Sequence, residues 1–348
     1  MKKIAILIWG LHSSAGTERV AVNISNQLCK NSNISVNLIS MTGLNSFYKI
    51  DSSVNVNFLN CNGTLFPYLS AVNFLKKNKF DTVIVISMGK LSVITTLLKI
   101  LRGIRSKWIL SEHISFSKYS FLQKFIKRVT YYFADKVILL TRYDKNLISK
   151  TNKKFMVIEN SSPFTISLNV NENATRVIAV GRLTYQKGYD RLLDIWAEFC
   201  RHNPNFLYPL EIYGNGELKE SLILKCNELK ISKRVIFHES VQNIEDVYKS
   251  AYCLLMTSRF EGLPMVLIES KSFGVPVISF NCKTGPDELI NDEVDGYLVK
   301  DGDEKAFLEK MNLLLNDRKL RNVIAANALL SAQKYSSNKI SSMWLDII

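Results

Sequence analysis

The sequence predicts an α/β protein with two domains, each built on a parallel β-sheet that helices cover on both faces. Short apolar runs typical of buried strands alternate with amphipathic helical runs from one end of the chain to the other. The 348 residues are more than one hydrophobic core usually holds. The alternation lapses once, near the middle of the chain, where loop-forming residues accumulate.

The first half of the chain contains five predicted strands and three predicted helices. The strands are Ile4–Ile8, Ser35–Ile39, Thr82–Ser87, Trp108–Leu110 and Lys136–Leu140. The helices are Thr17–Leu28, Leu91–Leu101 and Phe121–Phe133. In the first helix, Val20, Ile24 and Leu28 fall on one stripe, as they do in a helix that packs on a sheet.

The second half repeats this rhythm after a loop around 163–174 that marks the predicted domain boundary. Its predicted strands are Arg176–Val180, Leu207–Tyr213, Arg234–Phe237, Tyr252–Met256 and Val275–Ser279. Its predicted helices are Tyr189–Arg201, Glu217–Lys230, Met265–Phe273, Glu304–Asn316, Arg318–Lys334 and Ser337–Ile348. In parallel sheets of this kind, ligands bind beyond the carboxyl ends of the strands.

The net charge of +14 is concentrated in the first half of the chain. Residues 1–163 contain 23 Lys and Arg against 7 Asp and Glu, a balance of +16, whereas residues 164–348 have a balance of −2. This asymmetry predicts that the first half meets an anionic partner. The candidates are a phosphate-bearing lipid, a membrane surface and a nucleic acid.

Neither a leader peptide nor a membrane span is predicted. Met1-Lys2-Lys3 and the apolar run after it imitate a secretion signal, but the run is short and lacks a small-residue cleavage site, so a first strand is favoured. No stretch reaches the ~18 uncharged apolar residues that a span needs. The six cysteines form no Cys-x-x-Cys pair, which favours reduced thiols in a cytosolic protein.

Two loops at predicted strand ends carry residues suited to a phosphate. Gly16 lies between the first strand and the first helix, where the backbone can approach a ligand and the helix end offers free N–H groups. Arg182 and Lys187 follow the strand Arg176–Val180, and an Arg fork with a Lys point charge suits a diphosphate. Taken singly, the first loop is better interpreted as an ordinary strand–helix turn and the second as a loop with two solvated charges.

A third loop, Ser258-Arg259-Phe260-Glu261-Gly262-Leu263-Pro264, is more informative. Pro264 suits the first turn of the helix that follows, and Gly262 and Leu263 can present backbone N–H groups to a phosphate or a sugar hydroxyl. A carboxylate beside a phosphate site makes sense if Glu261 or Glu269 accepts hydrogen bonds from sugar and ribose hydroxyls. A solvated Glu on a helix remains the alternative for Glu269.

These segments resemble the retaining family 4 glycosyltransferases. Glu261 and Glu269 stand in the Glu-x7-Glu spacing of that family, and Gly181-Arg182-Leu183 with Lys187-Gly188 looks like its diphosphate clamp. Four further segments follow the family's order: Tyr213-Gly214-Asn215-Gly216-Glu217, Gly274-Val275-Pro276-Val277, Thr284-Gly285-Pro286-Asp287-Glu288 and Asp295-Gly296. Thr17-Glu18-Arg19 resembles its N-terminal loop, although the family usually has paired glycines where Ala15 precedes Gly16 here.

The resemblance implies the GT-B architecture, in which two Rossmann-like domains flank an interdomain cleft. Residues 1–163 would form the acceptor-binding domain and residues 175–330 the nucleotide-sugar-binding domain. Residues 331–348 would form a helix that packs back on the N-terminal domain.

The resemblance also implies roles for individual residues. His113 would face the donor sugar, Glu261 would orient that sugar, and Glu269 would hold the ribose. The phosphates would be bound by Arg182, Lys187, Gly16, Gly262, Leu263 and Pro264. His12 is a second candidate histidine, on the acceptor side, whereas His202 and His238 are expected to be structural.

The expected reaction moves a hexose or N-acetylhexosamine from a UDP-sugar with retention and needs neither a cofactor nor a metal. Asp301-Gly302-Asp303 imitates an Asp-x-Asp metal site, but Asp303 is favoured as the N-cap of the helix at Glu304. By resemblance, the acceptor is a polyprenyl-diphosphate-linked or other lipid-linked saccharide in the synthesis of lipopolysaccharide, O-antigen or capsule. The protein would be cytoplasmic and peripheral on the inner face of the membrane.

The segment Lys118–Val129 interleaves basic and aromatic residues and leaves two hypotheses open. Phe121, Phe125 and Val129 share one helical face, so the segment is either a core helix with a solvated basic face or a helix that rests on an anionic membrane. The charge of the first half favours the membrane.

Two other classes of function remain as rivals. A sugar-nucleotide epimerase can use the same two-domain architecture, and it would need no acceptor. A nucleic-acid-binding protein is suggested by charge alone and leaves the Glu-x7-Glu segment without a role.

Overall fold

The chain folds as two α/β units, and the computed structural model describes all residues from 1 to 348. Unit 1 contains Met1–Pro163 together with Ser337–Ile348, and unit 2 contains Phe164–Ser336. Both units have a fully parallel sheet with crossover helices. The predicted fold class is therefore confirmed.

Unit 1 is built on a seven-stranded sheet in the order β3-β2-β1-β4-β5-β6-β7. The strands are β1 (Lys2–Gly10), β2 (Ile34–Thr42), β3 (Asn55–Phe58), β4 (Thr82–Ser87), β5 (Lys107–Glu112), β6 (Lys136–Leu139) and β7 (Phe155–Val157). The helices are α1 (Gly16–Leu28), α2 (Phe66–Asn78), α3 (Lys90–Leu101), α4 (Phe121–Tyr132) and α5 (Arg142–Ile148). The last helix of the chain, α13 (Ser337–Leu345), belongs to this unit and contacts α1.

Unit 2 is built on a six-stranded sheet in the order β10-β9-β8-β11-β12-β13. The strands are β8 (Arg176–Val180), β9 (Leu210–Tyr213), β10 (Val235–His238), β11 (Ala251–Met256), β12 (Val277–Asn281) and β13 (Tyr297–Lys300). The helices are α6 (Tyr189–His202), α7 (Lys219–Glu228), α8 (Ile244–Lys249), α9 (Met265–Ser272), α10 (Pro286–Leu289), α11 (Glu304–Asn316) and α12 (Arg318–Ala332).

The central strands are almost completely buried, because helices cover both faces of a parallel sheet. The residues Thr82–Ser87 of β4 are buried without a break, as are most residues of β1 and β11. In unit 2, Trp196 of α6 stacks on Phe199 with ring centroids 5.2 Å apart, and both rings pack against the sheet. Continuous apolar runs of this kind made these strands predictable from sequence.

Most of the elements that the sequence pattern did not predict are short, and three lie at sheet edges; the exception in length is α2, with 13 residues. Strands β3, β7 and β13 are edge strands of three or four residues. An edge strand buries less surface, so its apolar pattern is weaker. Among the helices, α2, α5, α8 and α10 were missed, and α2 begins with Pro67 in its first turn.

Helix α4 corrects one of the two hypotheses for the basic and aromatic segment. Phe121, Phe125 and Val129 are exposed, so the core-helix alternative is wrong. Lys127, one of the basic residues of this segment, is buried rather than solvated. Its ammonium group lies 2.7 Å from the Glu112 carboxylate, and this ion pair satisfies the buried charge.

Every helix of the protein is too short or too polar to cross a bilayer.

Candidate active site

The candidate site of unit 2 lies at the point where the strand order of its sheet reverses. The loop after β8 and the loop after β11 leave neighbouring strands at their carboxyl ends, while the chain crosses over in opposite directions from β8 and β11. Such a switch point opens a crevice in which α/β proteins bind their ligands. The predicted residues Arg182, Lys187 and Glu261 all belong to these two loops.

Glycines let the backbone segments of this crevice approach one another closely. A Cβ on Gly214 would lie 2.0 Å from the Gly181 carbonyl oxygen, and one on Gly216 would lie 2.3 Å from the Leu183 carbonyl oxygen. No side chain fits at either position. The loop that carries Arg182 is thereby held against the turn after β9, and Arg182 itself is exposed.

Gly188 joins the β8 loop to the strand end of β11. It has φ +66°, and a Cβ there would lie 2.2 Å from the Thr257 carbonyl oxygen. The Thr257 hydroxyl donates a hydrogen bond of 2.9 Å to the Gly188 carbonyl. Because Gly188 follows Lys187 directly, this contact fixes the backbone position from which the Lys187 side chain extends.

Lys187 and Glu261 are brought together by the fold although 74 residues separate them in sequence. The Lys187 ammonium group donates to Glu261 Oε1 at 2.7 Å, and the Ser258 hydroxyl donates to the same oxygen at 2.7 Å. Both side chains of the ion pair are largely buried, with 16% of Lys187 and 7% of Glu261 exposed. The pair is therefore fixed in place but still reachable from solvent.

The carboxylate of Glu261 also acts on a tyrosine beneath the β8 loop. The Tyr189 hydroxyl donates to the Gly181 carbonyl oxygen at 3.2 Å. Burial, followed by the negative charge of Glu261, raises the pKa of Tyr189 above its ordinary value. Tyr189 is therefore a neutral donor that holds Gly181 in place.

The segment Gly262–Pro264 is held by the turn at Thr284-Gly285. The Thr284 hydroxyl donates to the Glu261 carbonyl oxygen at 2.7 Å, and a Cβ on Gly285 would lie 2.3 Å from the Gly262 carbonyl oxygen. Leu263 and Pro264 are buried beside them. Pro264 is the N-cap of α9 rather than its first helical residue, because its ψ of 112° is extended.

Glu269 lies in α9, eight positions after Glu261, and is hydrogen-bonded to a different side chain. It is buried in α9, and the Tyr248 hydroxyl donates to its Oε2 at 2.8 Å. The Tyr248 ring stacks on Phe273 with centroids 5.8 Å apart. The alternative of a solvated Glu269 is wrong, since this carboxylate is buried and hydrogen-bonded.

Arg259 is a charged residue of the same loop to which sequence reasoning assigned no role. It donates two hydrogen bonds to the Asp190 carboxylate at the start of α6 and lies over the Tyr185 ring at 4.1 Å. Since Asp190 and Tyr185 flank Lys187 in sequence, these contacts of Arg259 link the loop after β11 to the loop after β8. Its position between Ser258 and Glu261 in this loop was the sequence signal that could have identified Arg259 as a residue of the site.

In unit 1, the predicted residue Gly16 is exposed and begins α1. The Glu18 carboxylate lies in the first turn of this helix, where it accepts hydrogen bonds from Ser13 at 2.6 Å and Thr17 at 2.8 Å. A carboxylate at this position is stabilised by the helix dipole. His12 lies beside this loop, with its ring close to Gly10 and Gly43.

His113 lies directly after β5 in unit 1 and is buried. Its Nε2 is 3.0 Å from the Ser111 hydroxyl, and its backbone N–H donates to the Ser87 carbonyl oxygen at 2.8 Å. Burial lowers the pKa of His113 from 6.5 to about 4, so the imidazole is neutral at pH 7. It also lines a small cavity together with Asn23 and, from the C-terminal helix, Trp344.

The remaining charged motifs have structural partners. Asp303 accepts a hydrogen bond from the Ala306 N–H at 3.0 Å, so the predicted N-cap of α11 is confirmed. Asp301 forms an ion pair with Arg191 at 2.8 Å. His238 is hydrogen-bonded to Glu211 at 2.9 Å. No group of three or more His, Cys, Asp or Glu side chains is arranged to hold a metal ion.

The family model described as "Glycosyl transferases group 1" matches residues 164–330, which lie in unit 2. Two curated relatives align along the whole chain. One is the amylovoran biosynthesis glycosyltransferase AmsD of Erwinia amylovora, 36% identical, with 100% of both chains covered. The other is the GalNAc-alpha-(1->4)-GalNAc-alpha-(1->3)-diNAcBac-PP-undecaprenol alpha-1,4-N-acetyl-D-galactosaminyltransferase of Campylobacter jejuni, 31% identical over 100% of this chain and 98% of the relative.

Solved structures agree on the fold. The chain superposes on S. aureus TarM in complex with UDP with a TM-score of 0.81, covering 100% of this chain and 99% of TarM at 13% identity. It superposes on Anabaena HepE in complex with UDP and glucose with a TM-score of 0.79, covering 99% of each chain at 18% identity. With the whole-chain relatives, these observations lead to one conclusion: the protein belongs to the glycosyl transferases group 1 family and is a glycosyltransferase of the GT-B fold.

Proposed function

We propose that the protein transfers a hexose or an N-acetylhexosamine from a UDP-sugar, with retention, to a lipid-linked saccharide during surface-polysaccharide synthesis. The observation that carries this proposal is the Lys187–Glu261 ion pair at the switch point of unit 2, 2.7 Å long and still open to solvent. A cation beside a carboxylate matches a ligand that has a diphosphate next to a sugar.

The proposed diphosphate site uses Arg182, Lys187 and the N-terminal end of α9. Arg182 is exposed and can form a planar fork with phosphate oxygens, while Lys187 supplies a compact charge. Gly262 and Leu263 precede α9, so their backbone N–H groups and the helix dipole add positive potential. In this proposal these groups, with the loop at Gly16, act in place of a metal ion, and no cofactor is needed.

The two carboxylates would bind the hydroxyls on either side of the diphosphate. Glu261 is held by Lys187, Ser258 and Thr284, so it is preorganised to accept hydrogen bonds from the donor sugar. Glu269 is fixed by Tyr248 and would accept from the ribose. The neutral imidazole of His113 would hydrogen-bond the sugar, which a protonated histidine could not do as an acceptor.

The chemistry breaks the bond between the anomeric carbon and the diphosphate oxygen and forms a bond from that carbon to the acceptor oxygen. Negative charge grows on the leaving diphosphate, and the cations stabilise it in the transition state. The acceptor hydroxyl gives its proton to a leaving phosphate oxygen on the same face of the sugar. No protein nucleophile is assigned, and the anomeric configuration is kept.

The acceptor and the cellular site are proposed from two kinds of support. The C. jejuni relative is named for a PP-undecaprenol-linked saccharide, and the E. amylovora relative is named for amylovoran biosynthesis. Residues 1–163 have a charge balance of +16, which suits phosphate-bearing lipid. The protein would therefore work in the cytoplasm, peripheral on the inner face of the membrane, with lipopolysaccharide, O-antigen or capsule as the final product and with no nucleic-acid partner.

A donor panel tests this proposal. UDP-glucose, UDP-galactose and their N-acetyl forms are offered with and without a polyprenyl-diphosphate-linked saccharide, and nucleotide release and the anomeric coupling constant of the product are measured. We expect release that depends on the lipid-linked acceptor and an α-linked product from an α-linked donor. A changed nucleotide sugar made without acceptor would indicate an epimerase, and an inverted product would overturn the retaining mechanism.

A further inference from the structure

Helices α3 and α4 expose large apolar side chains on the side that faces away from the sheet of unit 1. They follow β4 and β5, which are adjacent and parallel, so right-handed crossovers place both helices on the same face of the sheet. The Lys99 ammonium group of α3 donates to the Phe133 carbonyl oxygen just after α4. Six apolar side chains that are more than half exposed define the α3–α4 apolar surface: Leu97, Leu101, Phe121, Leu122, Phe125 and Tyr132.

The orientation of α4 is the reverse of what burial of apolar area would give. Its inward face contains Lys127, Thr130 and Tyr131, whereas Phe121 is 91% and Tyr132 77% exposed. Burying Lys127 required the Glu112 carboxylate at 2.7 Å as a partner. A sheet-packed helix has no folding reason to expose its aromatic residues, so this face is expected to be covered by something outside the unit.

The charge around the α3–α4 apolar surface limits what can cover it. Between Met88 and Ala134 the chain has nine Lys and Arg residues and one acidic residue, Glu112. Glu112 is buried against Lys127, so the solvent side of this segment is purely cationic. Lys118 and Arg128 are exposed on or next to α4, and Arg128 also lines an open recess with Tyr132 and Lys154 at the end of this helix.

We infer that the α3–α4 apolar surface inserts into an anionic bilayer, with its aromatic and aliphatic side chains below the headgroups and its cations on the lipid phosphates. Apolar residues flanked by Lys and Arg are the chemistry of helices that lie in a membrane interface. A helix that only rests its basic face on the membrane would be held by charge alone. On the α3–α4 apolar surface, the apolar side chains that enter the bilayer also fix the orientation of the protein on the membrane. The inference rests on the proposed function only for the biological purpose of membrane binding, which is access to a lipid-linked acceptor.

A second copy of this chain is a poor occupant for the same surface. Two copies related by a two-fold axis would bring their predominantly cationic rims together, against which the exposed Asp135 just after α4 offers a single negative charge per copy. An anionic bilayer supplies the missing negative charge and the apolar phase at once. The bilayer is therefore the occupant that the surface fits.

The test measures flotation of the full chain with phosphatidylcholine vesicles that contain or lack phosphatidylglycerol, in the absence of sugar substrates. The double variant Phe121→Ser and Phe125→Ser is expected to lose about tenfold or more in vesicle affinity. The reason is that serine lacks the favourable free energy that a phenylalanine side chain gains on moving from water into the bilayer. The matched control, Leu224→Ser and Leu313→Ser, removes two exposed apolar side chains from unit 2 and should float like the parent protein. Equal flotation of both double variants would overturn the inference.

Insertion depth provides a second measurement. Phe121→Trp should be quenched by lipids brominated on the acyl chains, whereas Leu224→Trp should show no quenching beyond that of the parent protein. Absence of quenching at residue 121, or a dimer in sedimentation velocity that the Phe121→Ser and Phe125→Ser changes dissolve, would overturn the inference.

Activity with a water-soluble acceptor separates this inference from the proposed function. It should stay within about twofold of the parent in the Phe121→Ser and Phe125→Ser variant, because these side chains lie outside the candidate active site. Failure of transfer in the parent protein would count against the proposed function and leave the vesicle result unaffected.

Discussion

Two Lys–Glu ion pairs of equal length have very different surroundings in the two units. In unit 1, Lys127 and Glu112 are 2.7 Å apart, with 3% and 1% of their side chains exposed. In unit 2, Lys187 and Glu261 are also 2.7 Å apart, but 16% and 7% of their side chains are exposed. The first pair is enclosed by protein, and the second opens toward a crevice.

The partners of each pair show what this difference means. Glu112 accepts further from the Ser92 hydroxyl at 2.7 Å, and Ser92 accepts from Lys127 at 2.6 Å, so the network is closed on itself. Around Lys187 and Glu261, by contrast, glycines bring backbone segments so close that no side chain fits between them, and the ion pair itself stays partly exposed. A closed network anchors a helix, whereas an open one is available to a ligand. Exposure and neighbouring glycines, rather than charge or distance, distinguish the two roles.

The largest expected effect comes from breaking the enclosed pair. Lys127→Ala leaves Glu112 charged, buried and without its cation, which should cost about 3–5 kcal/mol of the free energy of unfolding. Urea unfolding of the full chain measures it. The control is Lys249→Ala, which breaks an exposed pair with Glu245 at 2.8 Å and should cost about 0.5 kcal/mol or less. Equal losses in both variants would show that the enclosed network does not anchor α4.

Breaking the open pair should affect turnover rather than folding. Lys187→Ala is expected to lower kcat about 100- to 1000-fold, because in the proposed mechanism this cation stabilises the leaving diphosphate in the transition state. Arg182→Ala should act in the same direction. Steady-state nucleotide release measures the effect, with Lys219→Ala as an exposed ion-pair control. A rate for Lys187→Ala within tenfold of the parent would remove this residue from the catalytic machinery.

His113 and Lys127 are both buried titratable side chains of unit 1, but His113 is uncharged, whereas Lys127 is buried as a cation. Its pKa is lowered to about 4 in the folded protein from an ordinary 6.5, so the unfolded chain binds more protons between these values. The free energy of unfolding therefore falls as the pH is lowered through this window, by about 2 kcal/mol between pH 7.5 and 5 from this residue.

Urea unfolding at both pH values checks this dependence on His113. His113→Gln should remove that part of the pH slope, and the exposed His202→Gln should leave it in place. A His113→Gln variant with the parent's full slope would contradict the prediction.

The smallest expected effect concerns Glu269, which is anchored by a neutral partner. Tyr248→Phe removes the hydrogen bond of 2.8 Å to Glu269 Oε2 and should let the carboxylate move away from the position in which it is proposed to bind the ribose. We expect the KM for the donor to rise about tenfold, or about 1.4 kcal/mol, with kcat within about twofold. The partly exposed Tyr208→Phe serves as control. An unchanged KM for Tyr248→Phe would mean that Glu269 does not contact the nucleotide.

Much of the fold could be predicted because its signals are local. The buried strands β4 and β8 were found with the bounds that the structure gives them, as was α11 with its Asp303 cap. The short edge strand β7 was missed because its three residues bury too little surface to leave a pattern.

The candidate site divides in the same way. The sequence alone identified the loops of Arg182, Lys187 and Glu261, because strand ends and the resemblance mark them. It did not show that Lys187 contacts Glu261 directly, that Ser258 and Tyr248 hold the two carboxylates, or that Thr284 holds the Glu261 backbone carbonyl.

The sequence by itself therefore determined the alternation of strands and helices, the basic first half and the residues of the glycosyltransferase motifs. Only the tertiary structure decided that α4 turns Lys127 inward and Phe121 outward, and that Lys187 meets Glu261 across 74 residues. The physical reason is that periodicity and capping act within a few residues, while burial and ion pairing depend on segments that only the folded sheet brings together.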